Sequence, residues 1–240
     1  MAVQRRMIRL AMFDMAGTTV NDVVEGYPLV IGATKRAFAR HGIVLPVEWI
    51  NAQRGREKKE MIAGLLRESG GPATLLERIY ATFLAELERG LAAVTEIEGA
   101  GEVFQKLRRR GIKVGLGSGF PTDVVDKILS HLGWRAQGLV DYYASAEQVG
   151  EGRPSPKMIQ MAMAEIGIAD PREVVKIGDT VMDIQEGKNA GVWTVAVLTG
   201  SQARRQLAAA GPDYILPSIR ELPPLLAGPP HQLEAEEEQR

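Results

Sequence analysis

Three aspartates in this 240-residue chain, Asp14, Asp179 and Asp183, have the chemistry to attack an electrophile or to hold a metal ion. Asp14 ends an apolar run, where an ionised carboxylate loses solvation unless a cation or backbone donors compensate. Asp179 and Asp183 flank a turn after another apolar run, and carboxylates gathered at adjoining strand ends form the oxygen-rich kind of site that Mg²⁺ takes. For Asp179 taken alone, capping of a helix that starts near Val181 explains the placement equally well. Ser118 stands between Gly117 and Gly119. A hydroxyl and amides at a strand end are the donors a phosphate needs, and a plain turn residue stands in the same places. Arg153 lies in Gly152-Arg153-Pro154-Ser155-Pro156-Lys157. A proline-stiffened loop holds a guanidinium against a phosphoryl group at little entropic cost, and surface solvation is the competing explanation.

Lys58 stands out for a different reason. At about 100° per residue, Met61, Ile62, Leu65 and Leu66 make one apolar face, and Lys58 falls near its centre. Lys59 falls at the edge, and Arg56, Glu60 and Arg67 lie opposite. A lysine so placed either snorkels along apolar surface or serves as a desolvated amine nucleophile. Burial with Arg54 or Arg56 nearby favours the neutral amine, and Glu57 and Glu60 oppose it.

The elements that must position these groups follow from the apolar pattern. Residues 7–13, 112–116, 174–177 and 193–198 read as buried strands, each ending near glycine, with helical patterns between them. Strands apolar on both pleat faces, alternating with helices, predict an α/β chain with a Rossmann-like parallel sheet, and ligands then bind beyond the carboxyl ends of the strands. Asp14, Ser118 and Asp179 all fall at such ends. Residues 22–98 contain helical patterns at 31–40, 57–67 and 75–88 and little that resembles a strand, which predicts a helical cap domain inserted into a core made of 1–21 and 99–226. Residues 227–240 are expected to be a disordered tail because their apolar content is too low to pack.

Composition narrows the partners. With 45% hydrophobic and 25% charged residues the chain supports a sizeable core and is no disordered regulator, and a net charge of −1 implies no broad basic face for nucleic acid. The chain contains no cysteine, which removes disulfides, thiolate metal sites and cysteine nucleophiles and fits a cytoplasmic location. No stretch approaches the ~20 apolar residues of a membrane span, and no secretory signal is expected. The expected partner is a small molecule.

Four segments taken together resemble the haloacid dehalogenase superfamily: Phe13-Asp14-Met15-Ala16-Gly17-Thr18-Thr19-Val20, Ser118, Arg153-Pro154 and Gly178-Asp179-Thr180-Val181-Met182-Asp183. Within it, the Ala-Gly-Thr-Thr after Asp14, the loop from Gly152 to Pro156 and the stretches 175–180 and 189–195 are similar to the phosphonoacetaldehyde hydrolases, or phosphonatases. The resemblance implies that Asp14 attacks phosphorus and that Mg²⁺ is held by Asp14, the Ala16 carbonyl and Asp179. It implies further that Asp183 and Thr18 support the site from behind, and that Ser118, Gly119 and Arg153 bind the phosphoryl oxygens. Most phosphatases of the superfamily carry a second aspartate where this chain has Ala16. The phosphonatase Gly-x-x-Lys segment matches Gly55-Arg56-Glu57-Lys58 and implies that Lys58 forms an imine with the aldehyde. The chain departs from the family at Arg54, Met61 and Phe120, where methionine, histidine and tyrosine are usual, and Arg54 is a candidate substrate-binding residue. The resemblance also implies a homodimer joined through the cap. The rival readings are a phosphatase of small phosphate esters, with Lys58 only a binding charge, and an interaction protein that keeps the fold without catalysis.

Overall fold

A computed structural model of the protein describes residues 7–53 and 56–227. Strand β1 (Leu10–Asp14) leads into the two-residue strands β2 (Val20–Asn21), β3 (Val23–Val24) and β4 (Tyr27–Pro28). Four helices follow, α1 (Leu29–Arg40), α2 (Val47–Ala52), α3 (Lys58–Glu68) and α4 (Leu76–Gly90), and then β5 (Thr95–Glu96). Helices and strands then alternate through α5 (Ala100–Arg109), β6 (Lys113–Ser118), α6 (Thr122–His131), β7 (Tyr142–Ser145), α7 (Ala146–Val149) and α8 (Lys157–Ile166). The chain ends with β8 (Val174–Gly178), α9 (Val181–Ala190), β9 (Trp193–Val197), α10 (Arg204–Ala209), β10 (Tyr214–Leu216) and α11 (Leu222–Ala227).

Six strands form one parallel sheet in the order β10-β9-β8-β1-β6-β7. Successive side chains of β1 point to opposite faces, and both faces are covered. Ala11 and Phe13 join a core in which Phe13 meets Phe104 edge-on at 5.2 Å and Phe104 meets Trp134 at 5.0 Å. Leu10 and Met12 pack on the other face against Ile159 and Ala162 of α8. The chain leaves β1 for β6 and β7 on one side and returns to β8, β9 and β10 on the other. A ligand crevice is expected where that order reverses, outside the carboxyl ends of β1 and β8. Registers from Leu10↔Lys113 to Asp14↔Gly117 and from Leu10↔Val174 to Phe13↔Ile177 bring Asp14, Ser118 and Asp179 out at one sheet edge.

Between β2 and β5 the helices extend the same apolar core, where Phe38 of α1 joins Ile79, Phe83 and Leu87 of α4. Glu86 is buried among them, and Arg36, Arg40 and Arg89 pair with it at 2.8, 2.8 and 2.9 Å. Antiparallel pairing of β2 with β5, Val20↔Glu96 and Asn21↔Thr95, ties the outgoing and returning connections side by side.

Several element expectations need correction. The first strand starts at Leu10, with Met7 86% exposed, and the pairing to both neighbours begins just before it, where Arg9 donates to the Glu173 carbonyl and accepts from the Lys113 amide. The second strand runs from Lys113 through Gly117 to Ser118, so Gly117 lies within the strand instead of ending it, and Met12 occupies the space a side chain at 115 would need. Strands β7 and β10 lie at the sheet margins, half-buried and short, and carry no apolar run to betray them. Helix α2 buries only Ile50, too little for a periodic stripe. The stretch read as nearly strand-free contains β3, β4 and β5, which are two residues each. Arg54, Gly55 and the tail after Ala227 lie outside the described residues. No helix among the described residues is long and apolar enough to cross a membrane.

Candidate active site

The turn after β1 is tight because Thr18, Thr19 and Val20 all donate backbone hydrogen bonds to the Met15 carbonyl. Gly17 sits in it at φ +83°, and a Cβ there would come within 2.9 Å of Asp179 Oδ2, so glycine meets both a left-handed backbone and a close approach. The turn therefore seats directly on Asp179. Thr18 Oγ1 donates to Asp179 Oδ1 at 3.0 Å, and the Ser201 amide donates to Oδ2 at 3.1 Å. Asp179 is not the cap of the following helix. Thr180 takes that place in a capping box with Asp183, which leaves Asp179 to face Asp14.

Asp14, Asp179 and Asp183 are all buried, and each places a carboxylate oxygen within 4.8 Å of the others. Beneath them lie Glu186 and two buried cations, Arg153 and Lys176. Arg153 pairs with Asp14 at 2.7 Å, Glu186 at 3.0 Å and Asp183 at 3.3 Å, and donates to the Gly117 carbonyl at 2.6 Å. Burial opposes its charge, but the surrounding carboxylates hold its pKa above the ordinary value. Surface solvation is thus not what this loop residue does. Four carboxylates against two cations leave a deficit of two positive charges in a dry site. The deficit shows at Asp14, where burial, which Arg153 does not fully offset, pushes the carboxyl above its ordinary pKa. At Asp183 the same burial penalty is outweighed by Arg153 and Lys176, which hold it down. A divalent cation between Asp14 and Asp179 matches both the oxygen donor set and the missing charge.

Lys58 is the first residue of α3, 5% exposed, and its Nζ donates to the Arg56 carbonyl at 2.9 Å. Glu57 caps the helix, accepting from the Lys59 and Glu60 amides at 2.9 and 2.7 Å, so its charge is spent on the backbone. Lys59 is half-exposed and pairs with Glu77. The two adjacent lysines are as unlike as their helical phase requires. A Cβ on Gly152 would fall 2.9 Å from the Glu57 amide nitrogen, so the Arg153 loop touches the start of α3 backbone to backbone.

Lys58 and Asp14 line one pocket with Ser118, Gly119, Arg153 and Ala16. Ser118 accepts from the Phe120 amide at 3.0 Å, which fixes the oxygen and leaves its O–H to donate toward the pocket. Phe120 lines the pocket as well, whereas Met61 packs in the core and does not reach it.

Comparison with known proteins decides the family: residues 8–191 match the haloacid dehalogenase-like hydrolases. The chain belongs to that family. The hydrolase is 30% identical over 253 residues to a phosphonoacetaldehyde hydrolase of Bordetella pertussis, covering 90% of each chain. A phosphonoacetaldehyde hydrolase of Bacteroides fragilis is 30% identical over 258 residues, 92% of this chain and 96% of the relative. Among solved structures, a phosphonoacetaldehyde hydrolase-like protein from Oleispira antarctica superposes with a TM-score of 0.81 at 25% identity over 92% of each chain. A hydrolase from Pseudomonas syringae shares the fold, with a TM-score of 0.77.

The sequence reading of the hydrolase missed Lys176, Glu186 and Asp22. Lys176 had a signal, a lone lysine inside the apolar run 174–177 of a strand with no solvent face. Its Nζ lies 3.1 Å from Asp183 Oδ1 and 2.9 Å from Glu186 Oε2, close ion pairs that lack aligned hydrogen-bond geometry. Lys176→Met would leave these two buried carboxylates to share the Arg153 guanidinium with Asp14. It is expected to cost about 3–5 kcal/mol, a fall in Tm of roughly 10 °C. A melting point within about 2 °C of wild type in a calorimetric scan would show that the pair contributes no net stability. Glu186 and Asp22 carried no sequence signal, because each is a single carboxylate in a segment of ordinary polarity.

Proposed function

We propose that this hydrolase cleaves the phosphorus–carbon bond of phosphonoacetaldehyde or a close analogue, with Asp14 attacking phosphorus and Lys58 forming an imine with the aldehyde. The observation that carries this reading is a buried lysine amine facing a pocket shared with a buried carboxylate, with alanine at position 16. The curated relatives named for that activity support it. The neutral amine is the form that attacks a carbonyl.

Cleaving this bond leaves an electron pair on carbon, and a bare carbanion is a poor leaving group. Lys58 and the aldehyde lose water to give an iminium, which accepts that pair. Asp14 then forms an oxygen–phosphorus bond as the phosphorus–carbon bond breaks, and the pair settles in an enamine. Protonation at carbon and hydrolysis release acetaldehyde and restore the amine, and water frees phosphate from Asp14. Arg153 holds the Asp14 carboxylate in line, and the Ser118 hydroxyl and Gly119 amide receive phosphoryl oxygens. Mg²⁺ would be held by Asp14, the Ala16 carbonyl and Asp179, with Thr18 and Asp183 behind them, and supplies positive charge against the phosphoryl oxygens.

The test is release of phosphate and acetaldehyde from phosphonoacetaldehyde, run beside a panel of small phosphate esters, with Mg²⁺ and after chelation by EDTA. Equal amounts of both products are expected from the phosphonate, falling to background in EDTA and recovering with Mg²⁺. Turnover of esters alone would make Lys58 a binding charge and the protein a phosphatase.

A further inference from the structure

Imine formation needs a group that moves protons, and the pocket offers few. Its ionisable side chains among the described residues are Asp14, Asp22, Lys58 and Arg153. Asp14 must stay ionised to attack phosphorus, Lys58 is the amine itself, and Arg153 does not titrate in the working range. Neither described histidine is near, since His41 bonds Thr82 and His131 bonds the Val94 carbonyl. Position 61, where a histidine would complete the family pattern, holds a methionine packed in the core.

Resting on the imine reading above, we propose that Asp22 is the catalytic residue that transfers protons at Lys58 and the aldehyde oxygen. Asp22 lies where the chain passes from the sheet to the helical insert, 3% exposed. Its Oδ2 accepts from the amide of Leu29, the first residue of α1, at 3.2 Å, while its own carbonyl accepts from the same amide at 2.7 Å. Helix α1 begins after Pro28 with no side-chain cap of its own, so the Asp22 carboxylate serves at that end and is oriented by it. One oxygen is thereby anchored, and the carboxyl group is set in the pocket wall.

For imine formation and imine hydrolysis the proton balance closes on this one group, which starts as the carboxylic acid. When the Lys58 nitrogen attacks the carbonyl carbon, the C=O pair moves to oxygen, and Asp22 carries a proton from nitrogen to that oxygen. The carboxylic acid form then protonates the hydroxyl, the C–O bond breaks, water leaves, and the nitrogen lone pair forms the iminium. At the end of the cycle the carboxylate accepts a proton from the water that hydrolyses the product iminium. The enamine carbon takes up one further proton, and the water that frees phosphate from Asp14 gives one up, so the whole cycle consumes no external acid or base.

Asp22→Asn removes the titrating group and keeps an oxygen for the Leu29 amide, so it separates proton transfer from helix anchoring. The experiment reduces the protein with borohydride in the presence of phosphonoacetaldehyde and follows modification of the Lys58 peptide by mass spectrometry, beside the thermal melt. Wild type is expected to be modified, and Asp22→Asn to be modified about 10²-fold or more slowly while it still melts as a folded protein. As a second arm, Asp22→Ala should regain part of its rate when formate or acetate is added. Wild-type trapping kinetics in Asp22→Asn, or no rescue of Asp22→Ala, would overturn the assignment. If the wild type itself is not modified, the imine reading has failed, and the role of Asp22 falls with it.

Discussion

Lys58→Ala is expected to lower phosphate release from phosphonoacetaldehyde by more than about 10³-fold, because the step it removes is what makes carbon a leaving group. A thermal melt beside the assay separates loss of chemistry from loss of fold, since the amine also donates to the Arg56 carbonyl. Alanine alone does not separate an imine from a binding charge, so Lys58→Arg is the decisive companion. A guanidinium keeps the positive charge but stays protonated and does not condense with an aldehyde. Under the proposed chemistry the arginine variant is as inactive as the alanine variant. If it retains more than about a tenth of wild-type turnover toward the preferred substrate, Lys58 is an electrostatic residue and the protein a phosphatase.

Asp14→Asn is expected to cost more than about 10⁴-fold in turnover, as removal of a nucleophile generally does. Its effect on stability should run the other way. Burial pushes the Asp14 carboxyl above its ordinary pKa, so the charged form is less favourable in the folded chain than in the unfolded one. A neutral amide escapes that penalty, and Arg153 keeps Glu186, Asp183 and the Gly117 carbonyl as partners. The variant should therefore melt at or slightly above the wild-type temperature when both are measured in EDTA, the usual trade between activity and stability at a strained site. A drop of more than about 5 °C would mean that the Asp14–Arg153 ion pair outweighs the burial cost.

How much of this was legible depended on how local each signal was. Lys58 could be found because its neighbours at three, four and seven positions are apolar, and the helix it starts turns all of them to one side. Asp14 could be found because it ends an apolar strand. Asp179 remained ambiguous, since capping by an aspartate and ligation by one look alike in a sequence. Only the capping box of Thr180 and Asp183 resolved it. Strands β7 and β10 were invisible because an edge strand is held by its one neighbour and needs no continuous apolar run.

The sequence by itself determined the alternation of strand and helix, the helical insert after the first strand, and the identity of most groups that could react. Those rest on periodicity and on residue types at strand ends, which are properties of neighbouring positions. Tertiary structure alone decided which charges share one space: that Lys176 and Glu186 lie under Asp183, that Arg153 is spent on Asp14, and that Asp22 faces the same pocket as Lys58. The physical reason is that electrostatic interaction depends on distance and burial between positions far apart in the chain, and neither quantity is written in local order.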